Sequence, residues 1–305
     1  MNKLSLLAAA ALVAASLATP ASAQSSWGSY GSYDSGSGSC ASGSPTSSNF
    51  DRARSLQVVG LTGDNALVCF NEFSPQEARN IGFVSNLTGG DTRLIGIDFR
   101  VQNGLLYGVG NAGGVYLLDT SNAVATLVNR LSVALDGSAS YGVDFNPAAD
   151  RLRITSSKGQ NLRHNVNAGG VTVVDGTLNY TPGVTALGIA GSAYTNNDLN
   201  ADTATTLYAL DSTLDQIALQ SPPNAGTLAA TGKLTVDATD VAGFDIYSKI
   251  RDGVTVEVQA LASIKAADGS MRLYSVRLPT GKAISRGNFG SQLMVTDIAI
   301  PLNQL

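Results

Sequence analysis

The sequence predicts an all-β protein, a single closed β-propeller of five four-stranded blades. The first observation is the segment 94–131, which contains four short apolar runs separated by turn-forming clusters. Within it, Asn103-Gly104 is a strong signal for a two-residue hairpin, because both residue types tolerate positive φ. A four-stranded unit of this size cannot bury its own apolar face, so it needs similar units on either side.

The second observation is a repeated motif in the opening strand of each unit: a glycine, an apolar residue, and then an aspartate or a small residue. The copies are Gly96-Ile97-Asp98, Gly142-Val143-Asp144, Gly188-Ile189-Ala190 and Gly243-Phe244-Asp245. A period of roughly 40–50 residues with four strands per unit is typical of a β-propeller. A sixth blade hidden in the long fifth unit is the alternative count.

The third observation is that the two ends of the repeat are incomplete in complementary ways. The N-terminal unit, which begins near Leu56, supplies three strands and lacks the opening one. The C-terminal stretch LMVTDIAIPL supplies one opening strand and nothing after it. We therefore expect the last strand to complete the first blade, which closes the ring and removes the exposed sheet edges that favour aggregation.

Composition agrees with this fold and excludes one class of partner. Charged residues make up 14% of the chain, and 33 glycines suit a tightly turned β protein. The formal net charge is −4, whereas nucleic-acid binding normally requires a basic face. We expect a monomer whose partner is a protein, a glycan or a small molecule, and not a nucleic acid.

The N-terminal region predicts export. Residues 1–23 have the features of a signal peptide: Lys3, a fourteen-residue apolar run from Leu4 to Leu17, and a small-residue cleavage site at 21–23. The run is shorter than the ~20 residues of a membrane-spanning helix, although a retained anchor is the alternative. Residues 24–53 are rich in Ser and Gly and predict a flexible linker, followed by the propeller domain at 54–305. The expected location is the periplasm or the cell exterior, without a membrane span.

The chain has two cysteines, Cys40 in the linker and Cys69 in a strand of the first blade. An even count in an exported protein permits a disulfide, which would tie the linker to the ring. The alternative is a buried free Cys69, since its neighbours are apolar. The sequence leaves both open.

The repeated aspartates are the first candidate site. Opening strands line the axis of a propeller, so Asp98, Asp144 and Asp245 should come close together, with Asp297 as a candidate fourth. Carboxylates that meet at one channel mouth can hold a cation such as calcium, or titrate abnormally through mutual repulsion. The alternative is that each aspartate accepts hydrogen bonds from backbone N–H groups at the first turn of its own blade.

A second candidate site is the loop containing Asp198, Asn200 and Asp202, whose spacing is that of the first ligands of a calcium loop. The rest of an EF-hand loop is missing, because Thr203 stands where the glycine belongs and Ala209 where the glutamate belongs. The alternative is a polar loop with local side-chain turns.

The third candidate is a basic hairpin in the third blade. It carries Arg151, Arg153, Lys158 and Arg163, and guanidinium groups match planar anions. Solvated strand charges are the alternative. His164, beside them, is the only histidine, which excludes a three-histidine metal site. We expect it to be an ordinary half-exposed strand residue.

Several phrases resemble one bacterial family of exported proteins with a propeller-like repeat, catalogued only as a domain of unknown function. These phrases are GIDFR…LYGVGNAGGVYLLD, YGVDFNPAADRLRITSSKGQNLRHN and TTLYALDSTLDQIALQSPPNAGTL. The resemblance spans about Leu56 to Leu302 and implies export and an all-β ring, but no catalytic residues. A looser likeness is to calcium-dependent lactonase or phosphotriesterase propellers, which implies an axial ion held by Glu, Asn and Asp side chains.

Three functions follow as hypotheses. The first is a non-catalytic binding or scaffold module without a cofactor, which predicts that no acidic cluster surrounds the axis. The second is a calcium-dependent hydrolase of the lactonase or esterase type, with the metal on the axis or in the Asp198 loop. The third is a binder of acidic glycans or other anions. We favour the first, and expect that the protein is not an enzyme.

Overall fold

The computed structural model describes residues 55–305, which form five four-stranded antiparallel sheets. The sheets are the blades of a five-bladed β-propeller. This confirms the predicted fold class. The described residues contain no α-helix and a single 3₁₀ turn at Pro223–Ala225. Residues 1–54 lie outside the described residues, so the signal peptide, the linker and the domain boundary stay predictions. No helix within 55–305 has the length and apolar character to cross a membrane.

The strands follow the blades in chain order. The first three belong to blade 1: β1 (Gln57–Thr62), β2 (Ala66–Asn71) and β3 (Ser74–Phe83). Blade 2 consists of β4 (Leu94–Phe99), β5 (Leu106–Gly110), β6 (Gly114–Leu118) and β7 (Ala125–Arg130). Blade 3 consists of β8 (Tyr141–Asn146), β9 (Arg151–Ser156), β10 (Asn161–His164) and β11 (Thr172–Val174).

A short separate hairpin follows blade 3, formed by β12 (Asn179–Thr181) and β13 (Val184–Thr185). Blade 4 consists of β14 (Ile189–Tyr194), β15 (Leu207–Asp211), β16 (Gln216–Gln220) and β17 (Leu228–Lys233). Blade 5 consists of β18 (Ala238–Arg251), β19 (Val254–Ala266), β20 (Met271–Val276) and β21 (Ala283–Asn288). The last strand is β22 (Val295–Ala299).

The ring closes as the sequence predicts. Strand β22 pairs antiparallel with β1, with Ala299 opposite Val59 and Asp297 opposite Leu61. The sheet order β22-β1-β2-β3 places the last strand of the chain innermost in the first blade. Each inner strand therefore has a second strand beside it on its outer side.

The alternative count of six blades is wrong. Blade 5 is long because β18 has 14 residues and β19 has 13, and these two strands belong to one four-stranded sheet. They pair from Ala238 opposite Ala266 to Arg251 opposite Val254, with bulges near both ends. The additional residues extend one hairpin and do not form another blade.

The fourth copy of the repeated motif is at Gly191-Ser192-Ala193, and the predicted copy at Gly188-Ile189-Ala190 is wrong. Ala193 lies opposite Tyr208 in blade 4, as Asp98 lies opposite Tyr107 in blade 2. A pairing irregularity directly precedes the motif glycine in both blades, between Ile189 and Gly191 and between Leu94 and Gly96. The aspartate is absent from blade 4 in either alignment.

The motif glycines allow the inner strands to approach closely. A Cβ atom on Gly142 would lie 2.3 Å from Ser192 N in the next blade, and one on Gly243 would lie 2.4 Å from Asp297 Cα. Side chains further out fill the space between blades. For example, the rings of Tyr107 and Phe145 meet edge to face at 5.3 Å between blades 2 and 3. Burial of such side chains contributes about 1.5–3 kcal/mol each.

Candidate axial site

Three aspartates from three blades meet on the axis. Asp98 lies in β4, Asp144 in β8 and Asp245 in β18, and one carboxylate oxygen from each lies within 4.8 Å of the others. Their exposures are 6%, 2% and 3%. The inner strands thus bring the three predicted side chains together, and an acidic cluster does surround the axis.

Each of these carboxylates also links its blade to the next one. Asp98 Oδ2 accepts a hydrogen bond from Phe145 N at 2.7 Å, and Asp144 Oδ1 accepts one from Tyr194 N at 3.1 Å. Asp245 Oδ2 accepts one from Ile300 N at 2.6 Å. The alternative prediction was right that backbone N–H groups are donors. It was wrong that they belong to the first turn of the same blade, because Phe145 and Tyr194 lie on the neighbouring inner strand and Ile300 directly follows one.

Asp297 makes a fourth link of this kind without joining the group of three. Its Oδ2 accepts a hydrogen bond from Ile97 N at 2.8 Å, which ties blade 1 to blade 2. Asp297 is 3% exposed, and burial raises its pKa well above 3.8. Together the four aspartates connect blades 5, 1, 2, 3 and 4 in succession around the axis.

Burial makes the three clustered carboxylates hard to ionise together. It raises the pKa of Asp98 and Asp144 well above 3.8, and repulsion from the neighbouring aspartates raises both further. Burial also raises the pKa of Asp245 to about 6, although hydrogen bonds from Ile300 and Ile246 oppose the change. At neutral pH the cluster requires either protons or a cation to offset its charge.

A cavity of about 170 Å³ opens at one end of the axis. Its wall includes Ile95, Tyr141 and Ala242, which precede Asp98, Asp144 and Asp245 by three residues each. Three residues of extended strand span roughly 10 Å, so the carboxylates lie about that far below the cavity wall. The wall also includes two charged residues, Arg93 and Asp240, which were not singled out from the sequence.

The loop with Asp198, Asn200 and Asp202 uses its oxygens in hydrogen bonds. Asp198 Oδ2 accepts bonds from the backbone N and the hydroxyl of Thr255, at 2.9 and 2.7 Å. Asp198 Oδ1 accepts one from Asn200 N, and Asn200 Oδ1 accepts one from Asp202 N. The loop thus forms local side-chain turns and fastens to the blade 5 hairpin. A calcium ion there stays a prediction, and it would have to replace the Thr255 contacts.

The four basic residues of the blade 3 hairpin do not form one surface patch. Arg153 is 1% exposed and pairs with Asp175 at 2.6 Å, while Arg163 pairs with the same carboxylate at 2.7 Å. The Arg151 guanidinium donates to backbone carbonyls at Ala149 and Asp150, and the Lys158 ammonium donates to the Gly137 carbonyl. These contacts use the cations within the fold. Anion binding by this hairpin stays a prediction.

Arg153 instead joins blades 3 and 4. Its guanidinium donates to Asn161 Oδ1 at 2.7 Å within blade 3 and to Asn224 Oδ1 at 2.8 Å in blade 4. Its Nε donates to the Tyr194 hydroxyl at 3.2 Å. Alternation along the strand could not reveal this role, because the partners come from another repeat.

His164 is fully buried, so the expectation of a half-exposed residue is wrong. Its Nε2 lies 2.9 Å from Asn129 Oδ1, and its Nδ1 lies 3.0 Å from Thr172 Oγ1. An amide oxygen only accepts, so Nε2 carries the proton and Nδ1 accepts from the threonine hydroxyl. Burial lowers the pKa of His164 to about 4. The ring is therefore neutral at neutral pH.

The described residues include only one of the two cysteines. Cys69 lies buried in β2 and is disulfide-bonded. Cys40 lies outside the described residues, so its pairing with Cys69 stays a prediction.

Solved structures similar to this chain are distant. They include an auxiliary nutrient binding protein from Bacteroides thetaiotaomicron, at 16% identity and a TM-score of 0.37, with 57% of this chain and 46% of that chain covered. A second, from Bacteroides ovatus, has 13% identity and a TM-score of 0.40, with coverages of 69% and 56%. Sqt1 from Saccharomyces cerevisiae has 14% identity and a TM-score of 0.38, with coverages of 81% and 75%.

The chain spans about half the length of the two nutrient-binding proteins. At these TM-scores the likenesses carry no argument about function. No curated protein matches the sequence. A match over most of the propeller, residues 66–299, is to the family described as Domain of unknown function (DUF4394), and the chain therefore belongs to that family.

Proposed function

We propose that this protein is an exported binding module whose propeller axis holds one divalent cation, calcium by the chemistry of the donors. The observation that carries this proposal is the meeting of three buried carboxylate oxygens, from Asp98, Asp144 and Asp245, within 4.8 Å. The hypothesis of a module without a cofactor predicts no acidic cluster around the axis, so this observation counts against that version of it.

The donor set supports a hard cation. All three side chains offer oxygen, and neither histidine nor cysteine belongs to the cluster. Calcium takes six to eight oxygen ligands, so backbone carbonyls or water would supply the remainder. A divalent ion would offset most of the negative charge of three carboxylates, whereas protons would have to hold the cluster neutral without it.

The burial of the ligands supports a structural ion in a binding module over a hydrolytic one. A catalytic metal keeps a coordination position open to substrate. Here the carboxylates are at most 6% exposed, and each one also accepts an N–H group of the adjacent blade. An ion at this place would join blades 2, 3 and 5 at the centre of the ring.

Thermal unfolding tests the proposal. In the purified protein, we expect calcium to raise the melting temperature and EDTA to lower it, because a ligand bound only by the folded state adds about 2.7 kcal/mol at 100 times its Kd. The double variant Asp98→Asn/Asp144→Asn should lose the calcium response. The control is Asp252→Asn, at the exposed tip of the β18–β19 hairpin, which should keep the response.

Metal analysis gives a second readout. We expect about one calcium per chain in the wild type after dialysis against a calcium buffer, and none in the double variant. If the melting temperature is the same in calcium and in EDTA and no metal is retained, the axial cation is refuted, and the cluster is held by protons alone.

A further inference from the structure

Two residues of opposite charge occupy the same position of the repeat, near one end of the propeller axis. Arg93 precedes the motif glycine Gly96 by three residues, and Asp240 precedes Gly243 by three residues. Both side chains are exposed, and both line the 170 Å³ cavity at the end of the axis. They come from blades 2 and 5, which are separated in the ring by blade 1.

Neither charged group has a hydrogen-bond or ion-pair partner in the described part of the chain, although the positive charge of Arg93 lies near enough to the Tyr141 hydroxyl to act against the rise in its pKa. Among residues 55–305, the guanidinium of Arg93 and the carboxylate of Asp240 make no hydrogen bond and no ion pair, although they share a cavity. Their backbones are held in place, since Arg93 N donates to Asn111 Oδ1 at 3.0 Å and the Asp240 carbonyl accepts from Ser140 Oγ at 2.6 Å. The wall of the cavity therefore includes one cationic and one anionic residue whose charged groups are available to a ligand.

The volume of the cavity and the other residues of its wall limit the class of ligand that it can bind. A protein cavity of about 150 Å³ holds benzene, so a cavity of about 170 Å³ suits a molecule of roughly six to ten non-hydrogen atoms. Sites for larger organic ligands span about 300–1,000 Å³. The apolar residues Leu94, Ile95 and Val241 belong to the same wall, so part of the ligand should be apolar.

We propose that this cavity binds a small free α-amino acid as the zwitterion. Its carboxylate would meet the Arg93 guanidinium, which matches a carboxylate in a bidentate arrangement. Its ammonium group would meet the Asp240 carboxylate, and its side chain would lie against Leu94, Ile95 and Val241. This site is separate from the axial carboxylates and does not depend on the cation.

Isothermal titration calorimetry on the purified protein tests the proposal, with L-alanine, L-valine and L-threonine as probes. We expect at least one of them to bind. N-acetyl derivatives lack the ammonium charge and amides lack the carboxylate charge, so each should bind at least tenfold more weakly than its parent. Arg93→Gln and Asp240→Asn should each weaken binding at least tenfold. The matched control is Arg251→Gln/Asp252→Asn, a charge pair at the hairpin tip, which should bind like the wild type.

Three results would overturn the inference. The first is that none of the three amino acids binds the wild type at concentrations of about 10 mM. The second is binding that survives both cavity substitutions. The third is an N-acetyl amino acid that binds as tightly as its parent, which would make the cavity a plain anion site. The calcium response of Arg93→Gln and Asp240→Asn separates the two proposals, because it should remain whichever result is obtained here.

Discussion

Four of the five junctions between blades differ from the fifth in how they are tied at the axis. At four of them an inner-strand aspartate accepts an N–H group of the next blade: Asp297, Asp98, Asp144 and Asp245. At the junction between blades 4 and 5 the corresponding residue is Ala193, which cannot make this bond. The motif glycine there, Gly191, packs against Phe244 instead.

The junction between blades 4 and 5 has its polar contacts beyond the axial aspartates, between the residues that follow β14 and the second half of β18. Asn197 Nδ2 donates to the Ile246 carbonyl at 3.2 Å, and Asn197 N donates to Ser248 Oγ at 3.0 Å. Asp198 and Thr255 add two bonds further along the long hairpin. An acid at every junction would place further buried charge beside the existing cluster, and each buried charge is costly unless it is offset. The alanine therefore limits the charge at the axis, and the extended hairpin supplies the missing connection.

The largest expected effect is at the junction between blades 3 and 4. There the contacts of Arg153 supplement the axial hydrogen bond between Asp144 and Tyr194. We expect Arg153→Ala to destabilise the protein by about 3 kcal/mol, because it leaves the Asp175 carboxylate buried with only Arg163 beside it. The matched substitution Arg163→Ala should cost less than about 1 kcal/mol, since Arg163 is partly solvated. Urea unfolding of both variants measures the difference. Equal losses of stability in the two variants would show that the buried Arg153 contributes no more than the partly solvated Arg163.

The junction between blades 2 and 3 should weaken in acid through His164, which lies between Asn129 of β7 and Thr172 of β11. Its pKa is about 4 in the folded protein, below the ordinary value of about 6.5 in an unfolded chain. The unfolded state therefore binds the proton first. The contribution of neutral His164 to the free energy of unfolding is fully present above pH 6.5. It falls by about 3 kcal/mol as the pH drops towards 4.

This effect is isolated by comparing the unfolding free energy of the wild type with that of His164→Gln between pH 4 and pH 7. Glutamine can donate and accept at the same place without titrating in this range. The difference between the two proteins should shrink as the pH falls. A difference that is constant over the range would refute the buried neutral histidine.

The axial acids should show the opposite pH dependence in EDTA. The pKa of Asp245 is raised to about 6, so its contribution is present below about pH 4 and is lost as the pH rises through 6. Asp245→Asn removes this loss of about 3 kcal/mol in the free energy of unfolding. The substitution also loses one of the two backbone hydrogen bonds that Asp245 accepts, which costs about 1–2 kcal/mol. We therefore expect a net gain of about 1 kcal/mol at pH 8 by chemical unfolding. In saturating calcium the same substitution should destabilise the protein.

The smallest expected effect concerns the Asn197 contact between blades 4 and 5. Asn197→Ala removes the side-chain bond to the Ile246 carbonyl and should cost about 1 kcal/mol. Hydrogen exchange should show faster opening of the hairpin around 247–258 in the variant, with little change at the inner strands of blades 2 and 3. Faster exchange at those strands as well would show that the hairpin and the axial cluster open as one unit.

The sequence was sufficient for the ring, its closure and the meeting of the axial acids, because repeated opening strands must take equivalent places around one axis. It was insufficient wherever the strand pairing or a neighbouring repeat decides the outcome. Gly188 and Gly191 both suited the motif position of blade 4, and only the strand pairing identifies Gly191. The burial of Arg153 depends on Asn224, far away in the chain. The sequence shows that Arg93 and Asp240 occupy equivalent positions of the repeat, but only the structure places them in one cavity.

The pairing of β22 with β1 also sets the order of events in biosynthesis. Strand β22, the innermost strand of the first blade, follows all the other strands of the propeller in the chain, so the ring cannot close before β22 has been made. Until then β1 presents an unsatisfied edge to its surroundings, where it can associate with other chains. Synthesis of residues 295–299 is therefore the step after which the first blade can become complete.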